Sequence, residues 1–329
     1  MQAIKPYTQI FDDLNGQEIL KKIEVCGRVC YKSEGKIKEG SAEGFVASLV
    51  KRGHEAVLEH ASIIVGTSYE FYAETKYILE HLEESTDFVS FLRFTNDTRP
   101  IISGNIRAWR SFFKTLVKTK TGFPITIKKL IKNNPIIFPE FQNVKFNNTN
   151  DTDFKILGVS DLQTEHEKLT HHDVTVKFIV DRGVSHEIVR HRIASYCQES
   201  TRYCNYSKDD FGNEITFIIP HYLDYGSEAW KTWKEAMKAC EDAYFKMLDL
   251  GCVPQEARAV LPNSLKTEVV MTANLREWRN FFELRTANAS HPQMREVARP
   301  LLDDLKELIP VVFDDITYDK GGEDNGKKE

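Results

Sequence analysis

The chain has 329 residues, of which 28% are charged and 41% hydrophobic, and a formal net charge of −5. That length buries a substantial core and admits one large domain or two, while the acidic balance excludes broad non-specific binding to nucleic acid and requires any basic surface to be local. No run approaches the ~18 apolar residues of a membrane helix, Met1-Gln2-Ala3-Ile4-Lys5-Pro6 has no secretory core, and the six cysteines include no Cys-x-x-Cys pair, so a cytosolic (cytoplasmic) chain with reduced thiols, no membrane anchor and no bound metal is expected.

Residues 16–31 and 41–52 carry helical apolar spacing, through Ile19, Leu20, Ile23 and Val29 and then Phe45, Leu49 and Val50. Cys26 and Cys30, one helical turn apart, read as packed small residues. Residues 61–66 read as a short strand, and the Asn/Thr-rich stretch 143–153 as a loop. Residues 173–180 alternate as a strand and lead into a helix over about 182–192. Residues 228–250 make an amphipathic helix through Trp230, Trp233, Met237, Tyr244 and Leu248; residues 268–273 make a strand entering another helix at Asn274; and a last helix over 293–308 ends near Pro310. The Gly-, Lys- and Glu-rich end, 320–329, reads as disordered. These elements give an α+β chain, a mixed or antiparallel sheet flanked by helices, with one domain over 1–318, an elaboration of it at about 67–171 and a tail at 319–329.

One pattern occurs twice. Asn105, Arg107, Trp109, Arg110, Phe112 and Phe113 share the spelling Asn-x-Arg-x-Trp-Arg-x-Phe-Phe with Asn274, Arg276, Trp278, Arg279, Phe281 and Phe282, which reads as a strand-to-helix module used twice. The second copy has Arg285 eleven residues after its Asn where the first has Leu116, so the second is read as the functional copy.

Arg190-His191-Arg192, followed at a short distance by Arg202, concentrates fixed positive charge in an acidic chain. Arg does not shed its proton, and its forked donors match phosphate or an anionic ring in hydrogen bonds worth about 1.5–3 kcal/mol each, so the cluster asks for an anionic ligand. Arg-His-Arg, seven further residues and then Ser200 resembles the signature of the flavin-dependent thymidylate synthases. The resemblance extends in order through residues 27–33, 53–62 (Gly-His-Glu-Ala-Val-Leu-Glu-His-Ala-Ser), 257–262 (Ala-Arg-Ala-Val-Leu-Pro) and Asn274-Leu275-Arg276, and five ordered blocks are more than chance supplies.

That resemblance implies reductive methylation of dUMP to dTMP with methylenetetrahydrofolate as carbon donor and FAD carrying hydride from NADPH, in a homotetramer whose sites are shared between subunits. By motif match it implies FAD contacts from His54, Ala56, Glu59, Arg190, His191, Arg192, Asn274, Arg276 and Asn280. It implies dUMP contacts from Glu187, Arg190, Gln198, Glu199, Ser200, Arg202, Arg258 and Arg285, with Arg285 the catalytic residue that promotes ionisation of the uracil at N3 by charge stabilisation. The chain departs from the family where Gln198 replaces a frequent Glu, Glu187 a frequent Gln, and Ala56 a hydroxyl residue, which leaves Ala56 a backbone contact. In a helix over 182–192 the signature side chains fan out in steps of ~100°, so Arg190, His191 and Arg192 do not all meet one ring and some reach the cofactor's phosphates or another subunit's nucleotide.

Other patterns point elsewhere. His54 and His60 are six residues apart, not the four of a zinc-protease helix, and His171-His172 reads as a solvated or strand-entry pair. Ser200 has no Ser-His-Asp partners and reads as a binding residue. Cys197 and Cys204 flank the signature and keep open a cysteine-dependent pyrimidine methyltransferase. Between 107 and 132, Arg107, Arg110, Lys114, Lys118, Lys120, Lys128, Lys129 and Lys132 occur without an acid, which reads as a solvated face, with a nucleic-acid-binding flavoprotein as the alternative.

Overall fold

A computed structural model describes residues 1–11, 18–81, 91–119, 123, 127–146, 154–202, 204–207 and 213–319. The expected tail at 320–329 and most of the expected loop at 143–153 lie outside the described residues. The strands are β1 (Gln2–Ile4), β2 (Tyr7–Ile10), β3 (Ser62–Gly66), β4 (Arg93–Thr95), β5 (Ile101–Asn105), β6 (Lys155–Leu157), β7 (Asp173–Asp181), β8 (Ser195–Gln198), β9 (Thr216–Ile218) and β10 (Lys266–Asn274). The helices are α1 (Ile19–Tyr31), α2 (Ser41–Arg52), α3 (Tyr69–Glu80), α4 (Ile106–Thr119), α5 (Lys128–Asn133), α6 (Glu165–His171), α7 (Arg182–Ile188), α8 (Glu228–Asp249), α9 (Pro254–Ala257), α10 (Leu275–Arg285) and α11 (Pro292–Leu308).

The α+β class is observed, as two four-stranded antiparallel sheets in the orders β4-β5-β3-β6 and β2-β7-β10-β8, with β1 and β9 paired in parallel beside them. The alternation read in 173–180 separates two kinds of buried face. Val174, Val176, Phe178 and Val180 join Val269, Met271 and Ala273 against α10 and α11. Thr175 on the other face is also buried, and its hydroxyl meets that of Thr272 at 2.8 Å. A strand covered on both sides satisfies its inner hydroxyls by pairing them, because an unpaired buried polar group costs about 1–3 kcal/mol.

The repeated motif is repeated structure. β5 runs into α4 and β10 into α10, each beside an antiparallel partner whose first residue faces the motif Asn: Ser62 opposite Asn105, and Asp173 opposite Asn274. Each Asn side chain caps its helix, accepting from Ala108 N at 2.8 Å and from Glu277 N at 3.0 Å. Trp109 donates to Ile63 O at 3.2 Å and Trp278 to Val174 O at 3.1 Å. Arg110 holds Glu140 at 2.5 Å and the Ile137 carbonyl, as Arg279 holds Asp315 at 2.6 Å and the Val312 carbonyl. The two copies then contact each other reciprocally. His60, two residues before β3, reaches Thr272 of β10 at 2.8 Å, and His171, two residues before β7, reaches Ser103 of β5 at 2.6 Å. Contacts exchanged in this way are what a two-fold relation between copies produces.

Two expectations change. The helix expected over about 182–192 stops at Ile188, so Arg190, His191 and Arg192 follow it in a turn and do not fan around a helix. The Tyr196 hydroxyl donates to Ile188 O and His191 O, and the Arg192 guanidinium to Val189 O, satisfying carbonyls that a further turn would have used. His171 is buried, not solvated; it is a strand-entry residue whose ring nitrogens meet Ser103 Oγ and, at 2.9 Å, Thr95 Oγ1.

Candidate active site

Arg285 stands at the C-terminal end of α10 and turns back onto the signature. Its Nε donates to His191 Nε2 at 2.8 Å, its Nη1 to the Glu187 carboxylate at 2.7 Å and its Nη2 to the Glu187 carbonyl at 3.2 Å. Burial, reinforced by Arg285 and Arg192, pushes the His191 imidazole down to about 4, so at neutral pH the ring is uncharged, with Nε2 the acceptor and the proton on Nδ1. Its ring packs against Phe281 at a centroid distance of 4.9 Å, tilted by 59°. Arg285 is thereby held in place, while Arg190 and Arg192 on either side of His191 are exposed. The position equivalent to Arg285 in the first copy, Leu116, is buried in the core.

A second group of candidates gathers at the end of β8. Gln198 donates to Ser185 Oγ at 3.1 Å and to Thr267 Oγ1 at 3.3 Å, which ties β8 to α7 two residues from Glu187. Arg258 donates to Thr201 Oγ1 at 3.2 Å, placing its guanidinium beside Ser200 and Arg202. Glu199 points the other way. It is 3% exposed, and its carboxylate accepts from Lys266 at 2.8 Å. Lys266 also bonds Glu268 at 2.7 Å, and Lys32 and Lys177 complete the cluster. Burial alone would raise the Glu268 carboxyl; Lys266 and Lys32 overcome it and hold the group down at about 2. The Glu199 carboxylate is therefore held in an internal ion cluster that anchors the loop.

The third group lines an open cleft where the two copies meet. Asn274, Arg276 and Ser195 are on its wall together with Glu59, which accepts from Ser195 Oγ at 3.1 Å and from Arg107 at 2.7 Å. Ile193 and Ala194, directly after Arg192, form part of the same wall. Arg93, Asn105 and Asp173 also line it, and Arg93 clamps Asp173 through two bonds of 2.6 and 2.7 Å. Sequence reasoning missed these three; Asn105 was visible in the repeated motif, whereas Arg93 belongs to no pattern. Ala56 is exposed on the 3-10 turn Glu55–His60 and His54 is exposed just before it, with its Nδ1 3.4 Å from the Tyr31 hydroxyl, and Asn280 is exposed on α10.

The sequence model of the family described as Thymidylate synthase complementing protein matches residues 159–311. The flavin-dependent thymidylate synthase of Pyrococcus abyssi is 34% identical over 179 residues, which are 53% of this chain and 72% of that protein. Those of Pyrococcus horikoshii and Geobacter sulfurreducens are 38% and 36% identical over 45% and 41% of this chain, and 62% and 57% of their own lengths. This chain belongs to the flavin-dependent thymidylate synthases.

The match to the flavin-dependent thymidylate synthase family takes in the second copy of the repeated module, from β7 to α11, and begins after the first. The features that pointed away from this family are absorbed by the fold. Cys197 is 3% exposed and hydrogen-bonded to Cys30, which with burial holds its thiol well above the ordinary value. Burial likewise pushes Cys204 up to about 12, so neither thiol is an available thiolate at neutral pH. In the basic run, Arg110 lies between Glu55 and Glu140, Arg107 holds Glu59, and Lys114 bonds Glu55 at 2.9 Å. Arg107, Arg110 and Lys114 are thereby paired, while Lys118, Lys128, Lys129 and Lys132 lie on an exposed face, as expected. Lys120 lies outside the described residues. Among the described residues, no group of three metal-ligating side chains is positioned to hold a metal and no helix is long and apolar enough to cross a membrane.

Proposed function

We propose that this enzyme converts dUMP to dTMP by reductive methylation, with methylenetetrahydrofolate as carbon donor and NADPH as reductant, acting as a cytoplasmic homotetramer built from one domain over 1–318. The observation that carries this reading is the fixed Arg285 guanidinium, held by Glu187 and a neutral His191 within the Arg-His-Arg signature. Bound FAD would supply hydride transfer. The inter-copy cleft fits the isoalloxazine edge, because its wall mixes acceptors on Glu59 with donors on Arg276, as a heterocycle bearing N–H, nitrogen and carbonyl groups requires. Three carboxylates, on Glu59, Asp173 and Glu277, make the same wall a poor seat for phosphate. The cofactor's phosphates are assigned instead to exposed Arg190 and Arg192, and His54, Ala56 and Asn280 remain expected flavin contacts.

In this reading Gln198, Ser200, Arg202 and Arg258 bind the nucleotide from the end of β8, with Arg190 and Glu187 on the α7 side. Arg285 stabilises negative charge developing on the pyrimidine, a contribution that exists only as the ring ionises. Glu199 serves the nucleotide indirectly, by fixing the loop through Lys266. The test is purification of a yellow protein whose visible spectrum responds to added dUMP and which forms dTMP from dUMP, methylenetetrahydrofolate and NADPH. A protein that takes up no FAD on reconstitution overturns the proposal.

A further inference from the structure

The cleft assigned to the isoalloxazine ring is not built by the family-matched segment alone. Its wall contains both members of two equivalent pairs, Ser62 with Asp173 and Asn105 with Asn274, so it lies on the relation that exchanges the copies. The first copy supplies Asn105 from the end of β5, and Arg93 from β4 fixes Asp173 across the cleft.

The two asparagines use their side chains differently. Asn274 accepts from Glu277 N and gives its Nδ2 to Thr170 O at 3.1 Å, so the fold engages both ends of the amide. Asn105 accepts from Ala108 N through Oδ1, but the carbonyl equivalent to that of Thr170 is that of Glu59, and among the described residues no bond joins it to Asn105 Nδ2. The cap turns Oδ1 toward the helix and Nδ2 away from it, on a half-buried residue of the cleft wall. An amide donor oriented by its own cap meets a ring carbonyl or ring nitrogen with little further loss of rotamer freedom.

The first copy therefore keeps the wall-forming half of the module and lacks the charged half. Asn105, Arg107 and the capped helix are present, and Arg107 holds Glu59 at the cleft; the position equivalent to Arg285 is Leu116, buried at 1% exposure. We propose that the first copy acts as a cofactor-seating wall for the single site of the second copy, with Asn105 Nδ2 a hydrogen-bond donor to the polar edge of the isoalloxazine ring. This rests on the assignment of the flavin to the inter-copy cleft.

The experiment uses the full chain. FAD affinity is measured by flavin fluorescence titration for the unaltered protein, Asn105→Asp and Arg276→Ala, with thermal midpoints recorded alongside. Asn105→Asp keeps a cap acceptor and removes the amide donor, so the fold is retained while the ring contact is lost. The expected result is FAD binding about tenfold weaker in each variant, as the loss of one hydrogen bond gives, with a stoichiometry of one FAD per chain. Arg276→Ala weakened with Asn105→Asp unaffected overturns the role of Asn105 and leaves the flavin cleft standing. Both variants unaffected while the unaltered chain binds FAD overturns the cleft assignment, two FAD per chain overturns the single site, and no FAD binding by the unaltered chain overturns the proposed function itself.

Discussion

The Arg285 Nε–His191 Nε2 bond, 2.8 Å long, joins a permanent cation to an imidazole that has to stay neutral to accept it. The pair couples the end of α10 to the Arg-His-Arg turn, and Glu187 anchors the same guanidinium from α7. Replacing Arg285 with Ala removes the charge assigned to the pyrimidine and leaves the cleft wall intact. dTMP formation is expected to fall at least about a hundredfold, the scale for loss of a preorganised charge-stabilising donor, with flavin retained; a steady-state assay beside the visible spectrum checks both. Turnover near that of the unaltered enzyme would remove Arg285 from the mechanism.

Arg190 gives the contrasting case. It is exposed next to His191 and is assigned to ligand phosphate, so Arg190→Ala is expected to weaken FAD retention about tenfold or more, the loss of a charge-assisted hydrogen bond. Flavin content after gel filtration reads this directly. Full retention would place the phosphates elsewhere.

The parts of this site that were legible in the sequence were those whose cause is local. β7, β10 and the Asn-capped start of α10 follow from alternation and from a side chain that caps its own helix. The end of α7 was not legible, because the carbonyls there are taken by Tyr196, on β8, and by the side chain of Arg192. The inward pairing of Arg107 and Arg110 within the basic run was not legible because their counter-charges, Glu55, Glu59 and Glu140, lie outside it in sequence. The repeated motif disclosed two modules but not their exchange of contacts. His60 and His171 share only a histidine placed two residues before a strand, and their partners Thr272 and Ser103 belong to the opposite copies.

Cys197→Ser tests the chemistry that the fold argues against. The thiol is buried beside Cys30 and held protonated, so a serine there is expected to lower stability by about 1–2 kcal/mol, through burial of a hydroxyl, while turnover per folded molecule stays within about threefold of the unaltered enzyme. Loss of activity in a variant that unfolds at the same urea concentration as the unaltered protein would bring back a cysteine nucleophile.

Lys266 is expected to be a stability residue for the loop that follows β8. Lys266→Met leaves Glu199, 3% exposed, without its cation, and breaking a buried pair from one side costs about 3–5 kcal/mol. Urea unfolding is expected to show a drop of that order, and the double variant Lys266→Met, Glu199→Gln to recover much of it, since the stranded charge is then removed. Equal stabilities of the single and double variants would show that Glu199 is not the group left uncompensated.

The three inward histidines set an acid limit on the fold. Burial, ahead of the charges nearby, pushes His60 and His171 down to about 3 and His191 to about 4, whereas an unfolded histidine titrates near 6.5. Between those values the unfolded chain binds more protons than the folded one, so stability rises with pH through this window and is lost as pH falls from about 6.5 toward 4, by up to about 1.4 kcal/mol per pH unit per histidine. Urea midpoints measured from pH 7 down to pH 4 follow this slope. His60→Gln retains a side chain able to bond Thr272 Oγ1 but cannot titrate, and is expected to lower the slope by about one proton. An unchanged slope would mean that His60 does not titrate on unfolding, and that its bond to Thr272 is not the neutral inter-copy contact argued above.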